Sequence, residues 1–403
     1  MRYPAAFPDF VWASGEECSD PLVLHAGRVI RVDELESTGH LASRATDLAQ
    51  AASLGIGAWR YGMPWHRTET APGEYDWRLW DLALAGCEEH GLTPVIDLCH
   101  FGLPDHYDGF CDPAWVDGFL LYVEAFLARY REPLWFTPVN EPSVTAAQSA
   151  LFGVWNDRRT DIADFAVALS HCVLADLEAF ARIRADRDGW NVCAEAFIVP
   201  VVTDESRRAE ADTFTAHWLA AWDLRLGHPL DPLAEPSFAS VDDGVRTRIN
   251  ALATRDRFVA GHDFYPTSAT VYAAHGEQPA GLAVSERIAA YETAARAFHV
   301  RYAVPFWVAE TSNLGLPASQ GSEWLQELTD GLARLRADGL PARGLCWYSR
   351  GDQHDWDDAL ATPVHTVTEV GLFDLGRRER PVAGTFRSLA AAGAPAQRPR
   401  RSL

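Results

Sequence analysis

The feature that most constrains the fold is a regular alternation of short apolar segments with amphipathic helical segments along nearly the whole chain. Eight apolar segments have the length and residue types of buried strands: 10–14, 58–63, 94–99, 134–140, 191–199, 258–265, 305–311 and 343–349. Helical patterns follow them at 43–55, 76–91, 113–132, 163–186, 206–226, 286–302, 322–338 and 381–393. Because parallel strands need crossover helices, this order predicts an α/β fold, a single-domain (β/α)8 TIM barrel over residues 1–393.

A doubly wound α/β sheet is the competing architecture for the same alternation. Such sheets usually carry a glycine-rich phosphate loop after the first strand. The segment WASGEECSD, residues 12–20, contains neither GxGxxG nor GxxxxGK[ST], so the barrel is favoured. Within the barrel, the helix at 76–91 is expected to have Asp76 as its N-cap and to end at Gly91.

The charge of the chain argues against several classes of partner. It has 35 basic and 56 acidic residues, a net charge of −21, which opposes binding to nucleic acid or anionic membranes. The sequence shows no signal peptide and no apolar stretch of about 18 residues, so a cytoplasmic location is expected. Residues 394–403, which include the basic run RPRRS, are expected to be a disordered tail.

Two glutamates stand at the ends of predicted strands on opposite sides of the barrel. Glu141 follows the fourth strand in TPVNEP, and Glu310 lies in the seventh strand in FWVAETSN. Active sites of such barrels lie at the carboxyl ends of the strands, so the two carboxylates are expected to face each other. Two carboxylates facing one bond are the equipment of glycoside hydrolysis, where one protonates the leaving oxygen and the other attacks the anomeric carbon or activates water.

Other polar or aromatic residues at strand ends are candidate substrate contacts. Arg60 could instead pair with a structural carboxylate, and His100 could be a core histidine with internal hydrogen bonds. The place of His100 at a strand end, followed by FGLP, favours contact with substrate. The full set is Glu16 and Glu17 at the first strand, Arg60 at the second, His100 at the third, Asn140 at the fourth, Asp263 and Tyr265 at the sixth, and Trp347 at the eighth.

Several of these segments resemble motifs of glycoside hydrolase family 1, the β-glucosidase family. The resemblance is carried by FPDFVWAS (7–14), AWRYGMPW (58–65), LCHFGLP (98–104), TPVNEP (137–142), GHDFYPTS (261–268), FWVAETSN (306–313) and GLFDLGRRERPVAGTFRSL (371–389). Its most specific parts are the Asn-Glu-Pro motif and the order of the eight strands. The resemblance implies a β-glycosidase that acts with retention of configuration on a carbohydrate and needs no cofactor or metal.

Transferred residue by residue, the resemblance implies a role for each strand-end group. Glu141 would be the acid/base, and Glu310 would be the nucleophile that forms a covalent glycosyl intermediate. Asn140 would donate a hydrogen bond to the sugar 2-hydroxyl. The other implied roles are Tyr265 bonding the nucleophile, His100 bonding a sugar hydroxyl, Trp347 forming the floor of the subsite and Arg60 lying beside the nucleophile.

The chain departs from the family pattern in groups that would bind the sugar. The sugar-binding Gln of the family would align near Asp20, and Glu16 or Glu17 could take over its contact. The usual Asn of the sixth-strand motif is Asp263, and the Asp of the third-strand motif is Gly102. These replacements leave the catalytic pair intact while the groups around the sugar change.

The loop after the eighth strand departs as well. It reads RGDQHDWDDAL at 350–360 and differs in length from the sugar-binding Glu-Trp loop of the family, so that Asp355 and Trp356 are the nearest matches. We therefore expect simple β-glucosides to be poor substrates and a different or decorated sugar to be preferred, because buried polar groups lose their partners when the wrong sugar enters.

Two other functions remain open at this point. One is a non-catalytic carbohydrate-binding barrel, which release of an aryl leaving group would distinguish from an enzyme. The other is a metal-dependent barrel hydrolase, which is disfavoured because the chain has no HxH or HExxH pair and its seven cysteines form no CxxC pair. The sequence does not specify the sugar, the linkage, the aglycone or the oligomeric state.

Overall fold

The predicted barrel is confirmed. The computed structural model describes residues 3–4, 6–277 and 281–396, so positions 397–403 of the predicted tail lie outside the described residues. Eight parallel strands pair in sequence order and close into a barrel. They are β1 (Val11–Gly15), β2 (Ala58–Gly62), β3 (Pro94–Asp97), β4 (Trp135–Thr137), β5 (Trp190–Val192), β6 (Phe258–Asp263), β7 (Phe306–Thr311) and β8 (Ala342–Trp347).

Eight longer helices surround the strands at the places where the sequence predicts them. They are α1 (His40–Ser53), α2 (Arg78–His90), α3 (Ala114–Arg129), α4 (Ile162–Asp186), α5 (Arg208–Leu226), α6 (Val284–Tyr302), α7 (Gly321–Ala337) and α8 (Pro381–Ala392). Further helices lie in the loops, at Glu34–Ser37, Trp65–Thr68, Pro142–Ala146 and Asp243–Leu252. Among the described residues, the structure contains no helix with the length and apolar character needed to cross a membrane.

Two local expectations need correction. The segment predicted as one strand at 191–199 is divided: β5 ends at Val192, and a separate strand, Val199–Val202, pairs with Ala269–Tyr272. Between them, the carboxylate of Glu195 accepts the backbone N–H groups of Ser143 at 3.1 Å and Ala196 at 2.9 Å. An acidic side chain bound to backbone amides thus interrupts the segment that the apolar pattern predicts to be continuous.

The start of α2 also differs from the prediction. Its N-cap residue is Trp77, although Asp76 accepts the backbone N–H of Arg78 at 3.0 Å and so satisfies one of the free amides of the first turn. The predicted end is confirmed, because Gly91 is the C-cap with a left-handed φ of 68°.

The core has an inner and an outer part, both made of large apolar side chains. Trp135, Val192, Val259 and Trp307 belong to a cluster contributed mainly by the strands. Two further clusters join the strands to the surrounding helices, and in one of them Trp324 of α7 stacks on Phe264 after β6. This packing fixes the strand ends from both sides, so polar groups placed there have little freedom to move.

Buried ion pairs join the two strands that close the barrel. Arg350, after β8, donates to Glu16, after β1, at 2.8 and 3.0 Å, and it also contacts Asp47 of α1 at 3.0 Å. Asp47 further accepts from Arg377 at 3.1 Å and pairs with His40 at 2.9 Å. We call these five residues the closing seam. They tie the beginning of the barrel to its end.

Candidate active site

Glu141 and Glu310 face each other at the carboxyl ends of the strands, as the sequence predicts. Glu310 lies in β7, whereas Glu141 lies just beyond β4, at the start of the helix Pro142–Ala146, with a left-handed φ of 38°. Its backbone N–H donates to the carbonyl of Ala194, which holds this turn against β5. One carboxylate oxygen of Glu141 lies within 4.8 Å of one carboxylate oxygen of Glu310.

Glu310 is held by two donors. A guanidinium nitrogen of Arg60 donates to one carboxylate oxygen, and the Tyr265 hydroxyl donates to the other at 2.7 Å. Burial and the charge of Glu310 raise the pKa of Tyr265 well above its usual range, so the phenol keeps the proton that it donates. These contacts fix the orientation of the Glu310 carboxylate and place a positive charge beside it.

Arg60 also orders the polar groups beneath the site. Its second terminal nitrogen donates to Asn140 Oδ1 at 2.7 Å and to Asp97 Oδ2 at 2.9 Å. Because the oxygen of Asn140 faces Arg60, its amide nitrogen faces His100 Nε2, at 3.2 Å. On the other side of the ring, Nδ1 lies 2.9 Å from Asp97 Oδ2. Burial opposes a charged imidazole, but the neighbouring Cys18 and Asp97 outweigh it and raise the pKa of His100 well above its usual range. Asp97 was not among the predicted site residues; a carboxylate at the end of an apolar strand was the signal.

The surroundings of Glu141 favour its protonated form. Burial raises the pKa of Glu141 well above its usual range, and the nearby carboxylates of Glu310 and Glu195 raise it further. Glu195 also was not predicted to belong to the site. Burial raises its pKa to about 8 despite its bonds to the amides of Ser143 and Ala196. The acidic residue inside the predicted strand NVCAEAF could have revealed it.

Asp263 brings a third carboxyl group to the same place. It pairs with Glu310 across the β6–β7 ladder, and one oxygen from each of Glu141, Asp263 and Glu310 lies within 4.8 Å of the other two. Its side chain is buried, and within the described residues no N–H group and no alcohol or phenol hydroxyl donates to either of its oxygens, so the carboxyl group of Glu141 is its remaining hydrogen-bonding neighbour. Burial and the neighbouring charges of Glu310 and Glu141 raise the pKa of Asp263 well above its usual range.

A small cavity of about 40 Å³ opens onto the two glutamates. It has room for a few water molecules, so a sugar ring enters only if side chains at its rim move. Trp356 and Leu314, both partly exposed, are such rim residues, and the indole N–H of Trp356 has no partner among the described residues. The lining comprises Glu17, His100, Phe101, Glu141, Tyr265, Glu310, Leu314, Gln353 and Trp356.

Glu17, rather than Glu16, reaches this cavity. Both oxygens of Glu16 are bound by Arg350 in the closing seam, so of the two glutamates expected to replace the sugar-binding Gln, Glu17 lines the cavity and Glu16 does not. Glu17 lies beside His100 Nε2 at 3.7 Å, and Gln353 donates to its other oxygen at 3.1 Å. Successive side chains of an extended chain point to opposite sides, which explains why one of two adjacent glutamates enters the site and the other enters the seam.

The prediction for Trp347 is wrong for a similar reason. Its indole is fully buried in the outer core and donates to the carbonyl of Val370 at 2.9 Å, so it is not the floor of the cavity. The next residue, Tyr348, belongs to the inner cluster instead, and its ring lies 4.9 Å from the guanidinium of Arg60. Tyr348 therefore supports the site from below.

Asp355 stabilises a loop instead of lining the cavity. Its two oxygens accept the backbone N–H groups of His365 at 2.8 Å and Thr366 at 2.7 Å. The predicted contact of Asp355 with the sugar is therefore corrected, whereas its neighbour Trp356 does line the cavity. Arg60, Asn140 and Asp263 lie behind the lining and reach it through Glu310, His100 and Glu141, respectively.

Two larger cavities, of about 640 and 170 Å³, lie on both sides of Trp218 in α5. Their walls are almost entirely apolar, and the single carboxylate that lines either of them is that of Glu210. A third cavity, of about 280 Å³, is lined by Glu88 and Glu132, but both side chains are exposed and Glu132 lies before β4, away from the carboxyl ends of the strands. Of these cavities, the smaller one at the strand ends is the one lined by a facing pair of buried carboxylates.

Comparison with known proteins agrees with this architecture. Residues 35–225 match the model of the family described as Glycosyl hydrolase family 1. Aryl-phospho-β-D-glucosidase BglA from Bacillus subtilis (strain 168) is 32% identical over 102 residues, which cover 23% of this chain and 21% of that protein. Coniferin β-glucosidase from Pinus contorta is 30% identical over 127 residues, which cover 28% of this chain and 24% of that protein. The matched segments thus span less than a quarter of these relatives.

Similarity of structure extends over nearly the whole chain. The crystal structure of a β-glucosidase from Exiguobacterium marinum superposes with a TM-score of 0.79 and 15% identity, covering 97% of this chain and 99% of that one. At this level of identity the superposition establishes the fold. With the family match to residues 35–225, it confirms the resemblance expected from the motifs: the chain is a glycoside hydrolase family 1-like (β/α)8 barrel.

Proposed function

We propose that the chain is a retaining β-glycosidase, with Glu141 as acid/base and Glu310 as nucleophile. The observation that carries this proposal is the geometry of the pair: their oxygens approach within 4.8 Å, and Glu310 is oriented by Arg60 and Tyr265. Retaining glycosidases have carboxyl groups about 5 to 5.5 Å apart, whereas inverting enzymes need about 6.5 to 9.5 Å to admit a water. The observed approach favours direct attack by Glu310.

The reaction would take two displacements at the anomeric carbon. First, a Glu310 oxygen bonds to this carbon as the bond to the leaving oxygen breaks, and Glu141 gives its proton to that oxygen. The aglycone leaves as an alcohol and Glu141 becomes a carboxylate. A water then gives a proton to Glu141 while its oxygen bonds to the anomeric carbon and releases Glu310. The raised pKa of Glu141, caused by burial and by Glu310, suits the first of these steps at neutral pH.

The lining favours a neutral, hydroxyl-rich sugar or an amino sugar over an anionic one. Glu17 brings a further carboxylate, and the side chain of Gln353 and the indole N–H of Trp356, which has no partner among the described residues, can hydrogen-bond to hydroxyl groups. Arg350, which could have bound a phosphate, is engaged by Glu16 and Asp47 instead. The described lining contains no lysine or arginine, so we infer that 6-phospho sugars are poor substrates, although one relative is named an aryl-phospho-β-D-glucosidase.

A panel of nitrophenyl β-glycosides with neutral, amino, acidic and 6-phospho sugars tests both parts of this proposal. We expect turnover of neutral or amino glycosides, low kcat/KM for plain β-glucoside, and retention of configuration when proton NMR follows the first-formed sugar. An initial α-anomer from a β-glycoside would refute the proposed mechanism. Binding of sugars without release of nitrophenol from any of them would instead identify a non-catalytic carbohydrate-binding barrel.

Azide rescue assigns the two roles to individual residues. In Glu310→Gly, turnover should fall to background, and azide should restore part of it and yield an α-glycosyl azide, because the small anion occupies the space of the nucleophile. In Glu141→Ala, an activated aryl glycoside should still form the intermediate, and azide should give the β-product. The two variants serve as controls for each other, and the same anomer from both would show that the roles are wrong.

We also propose that residues 1–393 form one domain. The indole N–H of Trp12 in β1 donates at 2.8 Å to the carbonyl of Gly393, which follows α8, so that the first strand and the last helix are packed together. The expected cytoplasmic location, and the expectation that nucleic acid and membranes are not partners, rest on the sequence and on the net charge of −21.

A further inference from the structure

Among the described residues, no basic side chain forms an ion pair with Asp263, although two other carboxyl groups lie beside it. It is 1% exposed, and it lies opposite Glu310 in the register of β6 and β7. Glu141 is its other close neighbour, and a proton held by either carboxyl group can bridge the two. A buried carboxylate without donors is costly, so the lack of partners needs an explanation.

The charges around Asp263 require a proton in this cluster. A negative charge is best stabilised on Glu310, because Arg60 and Tyr265 both donate hydrogen bonds to its carboxylate. Like charges at this separation in a buried site cannot all ionise, as in paired carboxyl groups that titrate as a unit. The titratable or charged groups facing Asp263 are Glu141, Glu195, Glu310, Arg60 and the Cys346 thiol, with His262 and Tyr265 on its own segment.

We propose that Glu141 and Asp263 share one proton at neutral pH, which makes Asp263 a positioning residue for the acid/base. The proposal deepens, and rests on, the proposed glycosidase function. A single proton shared by two carboxyl groups leaves the pair only when the last of the two ionises. The leaving group can therefore still receive a proton at a pH at which an isolated Glu141 would have lost it.

The shared proton fits the two displacements with all atoms and charges accounted for. Before the first step the proton resides on Glu141, while Asp263 and Glu310 are carboxylates. The step transfers this proton to the leaving oxygen and converts Glu310 to a neutral ester, so the total charge of the three groups is unchanged. In the second step the proton from water returns to Glu141, and Glu310 becomes a carboxylate again.

Asp263→Asn is the sharpest variant, because the amide keeps the size of the side chain but cannot hold the proton. We expect the basic limb of the kcat/KM profile to move down by about one pH unit, which is about a tenfold extra loss of kcat/KM on that limb. Glu195→Gln is the matched control, since Glu195 also faces Glu141 but is bound by backbone amides. Its shift should be clearly smaller. Equal shifts in both variants, or none in Asp263→Asn, would refute proton sharing.

A measurement without turnover separates this proposal from the proposed function. Protein labelled with ¹³C at the Asp carboxyl carbons should show, by NMR, one resonance that titrates in two steps and that is lost in Asp263→Asn. In Glu141→Gln the same resonance should titrate in a single step. This change also assigns the resonance to Asp263 if the Asp263→Asn variant does not fold. If the resonance still titrates in two steps in Glu141→Gln, the pairing of Glu141 with Asp263 is refuted, even if the wild-type protein is an active glycosidase. The two-step titration in a protein without glycosidase activity would support the pairing and refute the function.

Discussion

The hydroxyl of Tyr265 donates to Glu310 at 2.7 Å, and its loss should therefore lower the rate of catalysis. Removing a preorganised donor to a developing or reacting charge commonly costs about 10²-fold in kcat or more. We expect Tyr265→Phe to lower kcat by about this factor and to cost about 1 to 3 kcal/mol of unfolding free energy as well, because the buried carboxylate of Glu310 loses a donor. Kinetics on a nitrophenyl substrate and thermal unfolding measure the two effects.

The same substitution elsewhere provides the control. Tyr302 donates at 2.7 Å to Asp223, another buried carboxylate, but on the outer side of the barrel between α5 and α6. Tyr302→Phe should cost about 1 to 3 kcal/mol of unfolding free energy, because Asp223 loses a donor, and it should leave kcat near the wild-type value. A loss of kcat in Tyr302→Phe equal to that in Tyr265→Phe would show that the effect is structural.

At the scale of single residues, the sequence predicts position along the chain better than the direction of a side chain. Glu141, Glu310, Arg60, His100 and Tyr265 come together as expected because each stands at a strand end. Two other predicted contacts, Glu16 and Trp347, point away from the site, whereas the residues that follow them, Glu17 and Tyr348, contact the cavity and Arg60, respectively. Neighbouring side chains of an extended segment face opposite sides, and the apolar pattern that normally tells the sides apart ends where the strand does.

At the scale of elements, the register of β6 against its neighbours depends on a glycine. An added Cβ at Gly261 would lie 2.6 Å from the Cα of Ala194, which is backbone and cannot move aside. The ladder between β6 and β7 shifts between Gly261 and Asp263, and this shift places Asp263 opposite Glu310. We expect Gly261→Ala to cost about 3 kcal/mol of unfolding free energy or more, by overpacking inside the barrel. Chemical denaturation measures it.

The opposite result is expected at Gly384, the fourth residue of α8. An added Cβ there meets nothing within 4 Å, so Gly384→Ala should stabilise the protein by about 0.5 to 1 kcal/mol through the higher helix propensity of alanine. If both variants were destabilised equally, close backbone approach at β6 would not be the cause.

Element order was almost fully predictable, since each barrel strand must be apolar and each crossover must present an apolar stripe. The divided fifth segment was not predictable, because the interruption depends on a long-range bond from Glu195 to the amide of Ser143. The cap of α2 was misplaced by one residue. The sequence signal for the cap is the acidic residue Asp76. It does accept a backbone N–H of the first turn, that of Arg78, but the residue at the N-cap position is Trp77.

At the scale of the whole molecule, buried acidic groups should make the fold less stable as pH rises. Burial raises the pKa of Glu34 from 4.5 to about 8, as it does for Glu195. The folded protein therefore retains protons between pH 4.5 and 8 that the unfolded chain has released. Each group should lower the unfolding free energy by up to about 1.4 kcal/mol per pH unit in this window.

Denaturant titrations from pH 5 to pH 8 measure this slope. Glu34→Gln should flatten it, because the amide can keep a hydrogen bond to the backbone of His354 without titrating. Glu323→Gln, at an exposed position in α7, is the control and should leave the slope as it is. Stability that rises with pH over this window, or an unchanged slope in Glu34→Gln, would contradict the assignment.

The closing seam has a consequence for the order in which the protein can be made. Arg350 leaves the ribosome 334 residues after Glu16, and Arg377 follows Asp47 by 330. During most of translation the first third of the barrel therefore carries acidic groups whose counterions have not yet been synthesised. Because unpaired charges resist burial, this region should stay hydrated until the last strand arrives. The barrel can therefore close around these acidic groups only after its last strand and the segment that follows it have been synthesised.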